Sequence, residues 1–214
     1  MKQILLWITC ILILLSTQVS LVFSAEILVG VKTGDWMEYE VTSSGNVPQE
    51  HNLTGAKIEV IGIEGKKIHI NITSIYTNSS QGIIQASLNL QTGEILDSFI
   101  IPANLTTGNS FPEITQGSIT IQDTIQKQIA GATRTTVTAN TPQTNFHWDQ
   151  QTGFLVEATS TFTDFSIYTT AQKTNIWQSQ IQLDITTTAI IIVLTIIIII
   201  AIIWIIKKRR ISQN

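Results

Sequence analysis

Lys67-Ile68-His69-Ile70-Asn71-Ile72-Thr73 sets an isoleucine at every second position and a polar residue between each pair. Successive side chains of an extended strand point to opposite faces, so this spacing builds one apolar and one polar face. A helix would spread the same three isoleucines around its circumference. Isoleucine is also stiff at χ1 and packs well on a pleated surface, which favours the strand further. The stretch reads as a half-buried β-strand, and the same grammar recurs on both sides of it.

In Asp35 to Val41, Met37, Tyr39 and Val41 share one face while Trp36, Glu38 and Glu40 share the other. Asn145 to Asp149 groups Phe146 with Trp148 and turns His147 away from them. Glycines separate these runs at hairpin spacing: Ser43-Ser44-Gly45-Asn46, Glu64-Gly65-Lys66, Gln91-Thr92-Gly93-Glu94 and Gln151-Thr152-Gly153-Phe154, with Ala130-Gly131-Ala132 as a further turn or bulge. In Asp149 to Gly153 the carboxylate is placed to accept a backbone amide two residues on, and Gly153 to take the left-handed conformation that closes the hairpin. About nine or ten strands at 8–12-residue spacing predict an all-β domain, an antiparallel curved sheet, sandwich or half-barrel. Pro102 to Pro112 holds two prolines and Gly108 and reads as a loop with at most one helical turn.

Beyond this region the pattern changes. Residues 189–206 are apolar apart from Thr195, and Lys207, Lys208, Arg209 and Arg210 follow at once. At 1.5 Å per residue that run spans roughly 27 Å, close to the ~30 Å hydrocarbon core of a bilayer. It predicts a single C-terminal transmembrane helix anchored in the lipid bilayer, with residues 207–214 as a basic cytoplasmic tail. Trp204 suits the interfacial aromatic belt, whereas Trp177 is expected at the domain edge. Residues 1–24 begin with Lys2, continue with a long apolar run and end at small residues, the pattern of a cleaved secretory signal peptide. The alternative is a retained N-terminal helix and two spans. Residues 26–180 then form the extracytoplasmic domain and 181–188 a short polar stalk. The expected location is the plasma membrane, single-pass, with most of the chain outside.

Between the two apolar ends, Glu26 to Ile185 carries seven Lys and Arg against fifteen Asp and Glu, a net charge of −8. An acidic domain without a basic stripe is a poor nucleic-acid binder, and that class is set aside. The single cysteine, Cys10, lies in the signal segment, so the mature chain has neither disulfides nor a thiolate site.

Candidate chemistry is sparse. Asn52, Asn71, Asn78 and Asn104 each open an Asn-x-Ser/Thr sequon, the acceptor motif for N-glycans on exposed segments of a secreted chain. The three histidines His51, His69 and His147 are dispersed and form no paired metal-ligand motif. Glu38 and Glu40 share a strand face as paired acids in a glycoside hydrolase do, and His147 with Asp149 resembles a base held by a carboxylate. No nucleophile elbow, phosphate loop or dinucleotide fingerprint accompanies them, so no catalytic residue, metal or cofactor is assigned.

Taken in order, Gly34-Asp35-Trp36-Met37-Glu38-Tyr39, Ile101-Pro102-Ala103-Asn104-Leu105, Arg134-Thr135-Thr136-Val137 and Trp148-Asp149-x-x-Thr152-Gly153-x-Leu155-Val156-Glu157 are similar to secreted or membrane-anchored surface proteins frequent in archaea. That resemblance implies a β-rich extracytoplasmic domain tethered by a C-terminal helix, with no established activity. A more distant likeness, through the Asp-x-x-Thr-Gly-x-Leu hairpin, is to the half-barrels of periplasmic lipoprotein carriers, which implies an apolar concave ligand surface. The expected function is a non-enzymatic binding or structural module facing envelope proteins or glycans. The alternatives are an extracytoplasmic hydrolase using Glu38, Glu40, His147 or Asp149, or a carrier of an apolar ligand.

Overall fold

The computed structural model describes residues 27–179, 190 and 192–199. Eleven strands occupy the first stretch: β1 (Trp36–Gly45), β2 (Leu53–Glu64), β3 (Lys67–Tyr76), β4 (Gln81–Asn89), β5 (Ser110–Glu113), β6 (Gly117–Thr120), β7 (Asp123–Ile129), β8 (Ala132–Asn140), β9 (Thr144–Asp149), β10 (Leu155–Thr161) and β11 (Phe165–Thr174). Nine of them form one sheet in the order β4-β3-β2-β1-β11-β10-β9-β8-β7, and β5 pairs with β6 as a separate hairpin. The large sheet is two meanders joined where β1 pairs antiparallel with β11. It does not close, because β4 and β7 stand at opposite edges. Register shifts between Glu38 and Tyr39, Val60 and Gly62, and Leu155 and Glu157 bend and twist the strands, the usual effect of a bulge. The domain is therefore an open, antiparallel, curved sheet, one of the architectures expected from alternation.

The alternation holds residue by residue. Met37, Tyr39, Val41, Ile68, Ile70, Ile72, Phe146 and Trp148 are all buried. Each fully buried aliphatic or aromatic side chain of this kind stabilises the fold by roughly 1.5–3 kcal/mol. The glycine turns also stand where expected, with Gly45, Gly65, Gly93, Gly131 and Gly153 at positive φ. Ala130-Gly131 is a tight turn joining β7 to β8, not a bulge.

The residues from 90 to 122, between the meanders, do not form a surface loop. Leu90, Ile95, Ile100, Ile101, Leu105 and Phe111 are buried in the same cluster as the isoleucines of β2 and β3. This segment plugs the inner face of the sheet. It is fastened there by Ile101 N–H to the Gly153 carbonyl at 3.0 Å, Leu155 N–H to the Phe99 carbonyl at 2.9 Å, and the Trp148 indole N–H to the Ser98 carbonyl at 2.7 Å. Pro112 departs from the loop expected over Pro102 to Pro112, because it lies in β5 opposite Ser118. A two-stranded hairpin tolerates proline, since the side facing away from the partner needs no ladder hydrogen bond.

The chain divides into two compact units, Met1–Trp177 and Gln178–Asn214. In the second, residues 190 and 192–199 are helical, and their large apolar side chains are 51–58 % exposed. Among the described residues no helix is long and apolar enough to cross a membrane. The rest of the expected span over 189–206, the signal peptide over 1–24, the stalk over 181–188 and the tail over 207–214 lie outside the described residues.

Candidate functional site

Asp149 ends β9 fully buried, and its carboxylate is committed to structure. Arg134 of β8 donates to it twice, Nε to Oδ2 at 2.7 Å and Nη2 to Oδ1 at 3.1 Å. Thr152 donates its backbone N–H at 2.9 Å and its hydroxyl at 2.8 Å to Oδ1. The amide that caps the turn is therefore that of Thr152, three residues on, and not the expected one two residues on. The guanidinium of Arg134 lies over the Trp177 ring, 4.6 Å from its centroid, and the Trp177 indole donates to the Ile129 carbonyl. Trp177 therefore belongs to the domain edge, as its sequence position indicated.

Gly153 is obligatory in this hairpin. It has φ of +75°, and a Cβ there would stand 2.0 Å from the Ile101 carbonyl oxygen. Asn104 N–H reaches the Gln150 carbonyl at 2.7 Å, and Gln150 Nε2 the Leu105 carbonyl at 2.9 Å. All four of the segments quoted above meet around the β9–β10 hairpin, since the Tyr39 hydroxyl also donates to the Leu155 carbonyl at 2.8 Å. Ile101 to Leu105 joins the plug to the sheet there, while Arg134 and Tyr39 tie other strands of the sheet to the hairpin.

Glu38 and Glu40 remain neighbours on the polar face of β1, and two strands separate them from His147 on β9. Glu38 faces Lys173 at 3.9 Å, and Glu40 accepts Gln172 Nε2 at 2.9 Å. His147 stands on the polar face of β9 opposite Glu157, whose carboxylate pairs with Lys127. Among the described residues no group of three or more His, Cys, Asp or Glu is placed to hold a metal ion.

Burial, and then the positive charge of Lys127, hold His147 below its ordinary value of 6.5, with Glu157 opposing. Above pH ~6.5 both folded and unfolded chains carry a neutral ring, so His147 adds no pH dependence. As pH falls below that value the unfolded chain takes a proton that the folded chain resists, and stability drops. Thermal melts from pH 7.5 to 5 are expected to fall less steeply for His147→Gln than for the parent; parallel slopes would refute the assignment.

A cleft of about 950 Å³ opens between the plug and the β8–β9 turn, and none of Glu38, Glu40, His147 and Asp149 lines it. Its acidic groups are Glu94, Asp97 and Glu113, accompanied by hydroxyls and amides such as Thr141, Gln116 and Gln143. Asp97 sits in an unusual turn: Leu96, Asp97 and Ser98 have φ of 34°, 42° and 56°. Left-handed backbone costs an L-residue roughly 1–2 kcal/mol, so three in succession need external support. The Trp148 indole on the Ser98 carbonyl provides it, and Phe99 N–H on the Leu96 carbonyl closes the turn from within.

Asp97 keeps an exposed surface, and its partial desolvation raises the carboxyl above the usual range, opposed by the charge of His51. His51 itself stacks on Phe165 and Phe162 at 5.8 and 6.3 Å. Burial also acts to raise Glu113, but hydrogen bonds from the Thr115 hydroxyl and the Thr115 and Gln116 amides outweigh it and hold the carboxyl low. Asp97 lies in a turn and Glu113 at the end of β5, neither within a motif, which is why pattern reading passes over them. Asp97 left one faint signal, the tolerance of aspartate for left-handed backbone.

The sequons fall in different settings. Asn78 and Asn104 are exposed in turns, and the Asn78 side-chain oxygen accepts both the backbone N–H and the hydroxyl of Ser80, at 3.0 and 2.6 Å. Asn52 is half-buried. Asn71 lies within the sheet on β3, and its side-chain oxygen is buried without a hydrogen-bond partner.

Neither a protein-family model nor a curated protein sequence matches the chain. A solved structure of the siderocalin Ex-FABP, described as functioning through dual ligand specificities, is similar over 74 % of this chain and 80 % of that one. The identity is 8 % and the TM-score 0.25, too loose to transfer anything to this protein.

Proposed function

We propose that this chain is a membrane-anchored extracytoplasmic binding module without catalytic activity, whose cleft beside Asp97 and Glu113 takes hydroxyl-rich glycans of the envelope. The observation that carries the ligand reading is the cleft wall, which combines three carboxylates with hydroxyls and amides and has no Lys, Arg or His among its lining residues. Such a wall offers charged acceptors to sugar hydroxyls and repels anions. The anchor reading is supported by the apolar run over 189–206 with its four following basic residues, and by the exposed apolar side chains of 192–199. The hydrolase alternative draws no support from Glu38, Glu40, His147 and Asp149, which stand in separate structural roles.

A second reading, a carrier of an apolar ligand, draws on Leu96, Ile114, Ile119 and Phe146 in the same cleft. One titration series separates the two. Neutral oligosaccharides are expected to bind the parent, and Asp97→Asn with Glu113→Gln to weaken binding roughly 10- to 100-fold, since a hydrogen bond to a charged group contributes about 1.5–3 kcal/mol. Binding of an apolar fluorescent probe that the two substitutions leave unchanged, with no oligosaccharide binding, would favour the carrier instead. Protease protection of the C-terminal tail in intact cells tests the anchor independently.

A further inference from the structure

The two edges of the open sheet are unlike. β7 carries Asp123 and Lys127, charges that discourage strand addition. β4, Gln81-Gly82-Ile83-Ile84-Gln85-Ala86-Ser87-Leu88-Asn89, has no charge and no proline, and it follows β3 through nine residues without a register shift. Ile83 and Ile84, on its two faces, are 67 % and 59 % exposed. Among the described residues none of the usual protections of an edge strand is present.

The backbone of β4 fixes what its edge offers. Asn89 turns away from β3, donating its N–H to the Glu94 carbonyl at 2.8 Å and accepting the Gly93 N–H at 3.0 Å. In an antiparallel ladder alternate residues face alternate sides, so Ser87, Gln85, Ile83 and Gln81 direct their N–H and C=O groups the same way. Among the described residues the plug covers Asn89 and leaves those four exposed, Ser87 at the rim of the cleft. They are symmetric about Ile84.

We propose that two copies of this chain pair through β4, antiparallel, about a two-fold axis passing between their Ile84 side chains. The register sets Gln81 of one copy against Ser87 of the other and Ile83 against Gln85, using every outward group in about eight backbone hydrogen bonds. Ile84 meets Ile84 on one face, flanked by Gly82 against Ala86, small residues that let the strands approach. No charge opposes its own copy across the axis, which favours self-pairing here and disfavours it at β7. The interface is isologous and closes after two copies. A seven-residue ladder is smaller than the ~1,200–2,000 Å² of a standard stable interface, so a reversible dimer is expected.

Cysteine cross-linking of the full chain tests this in a Cys10→Ser background. Directly opposed residues at a non-hydrogen-bonded position lie about 4.5 Å apart at Cα, within disulfide reach. Under mild oxidation, Ile84→Cys is expected to give at least tenfold more covalent dimer than Ile83→Cys, whose counterpart is offset along the ladder. Adding Gln85→Pro, which removes an outward N–H and leaves the β3 ladder intact, is expected to abolish the dimer. A monomeric Ile84→Cys protein would overturn the proposal, and so would equal cross-linking by Ile125→Cys on β7. Exposure of Ile84 keeps the first substitution out of the core.

Discussion

Trp148→Ala is expected to destabilise the domain by roughly 3–5 kcal/mol, a large part of what a domain of this size has to lose. The indole is fully buried, stacks on Phe146 at 4.9 Å between ring centroids and meets Phe111 edge-on at 5.7 Å. Phe146 belongs to the sheet and Phe111 to the plug, so one side chain joins the two layers. Truncation leaves a cavity at that junction and orphans the Ser98 carbonyl, which holds the left-handed turn under the cleft. Chemical denaturation should register the stability loss, and hydrogen exchange should show the amides around Leu96 to Phe99 opening first. A loss below about 1 kcal/mol would mean that the plug is not clamped through this residue. Trp148→Phe separates the two contributions: it restores most of the packing but cannot donate to Ser98, so it should loosen the turn more than the core.

Removing Arg134 is the second substitution with a large expected effect. Asp149 is fully buried, and Arg134→Met would leave its carboxylate without a counter-charge, a change that typically costs about 3–5 kcal/mol. Asp149→Asn is expected to cost less, because an amide needs no counter-charge and its oxygen still accepts the Thr152 N–H and hydroxyl. The double variant Arg134→Met with Asp149→Asn should recover part of the loss, giving a coupling of the order of 1–3 kcal/mol in a double-mutant cycle. Strict additivity would show that the bidentate contact contributes nothing beyond its separate parts.

The two substitutions differ in how far the sequence announces them. Trp148 beside Phe146, with His147 turned away, is legible as a core pair because strand periodicity is local: two residues along the chain always return to the same face. Nothing near Trp148 tells that its ring meets Phe111. Asp149 reads as the cap of a glycine turn for a similar local reason. Its partner Arg134 is fifteen residues away on the neighbouring strand, and only the β8–β9 register brings the two together.

The amino-acid sequence by itself determined most of the strands, the inward faces of β1, β3 and β9 and the glycine turns, because each of these depends on sterics and burial within a few residues. It also marked the two apolar ends of the chain and the acid excess between them. The order of strands in the sheet, the pairing of β1 with β11 and the folding of residues 90 to 122 onto the inner face were decided by tertiary structure. These depend on which apolar surfaces cover one another most completely, a competition among distant segments that no short window contains. The same competition turned a proline-bearing loop into a plug, supported Asp97 in a left-handed turn, and left β4 as the uncharged edge.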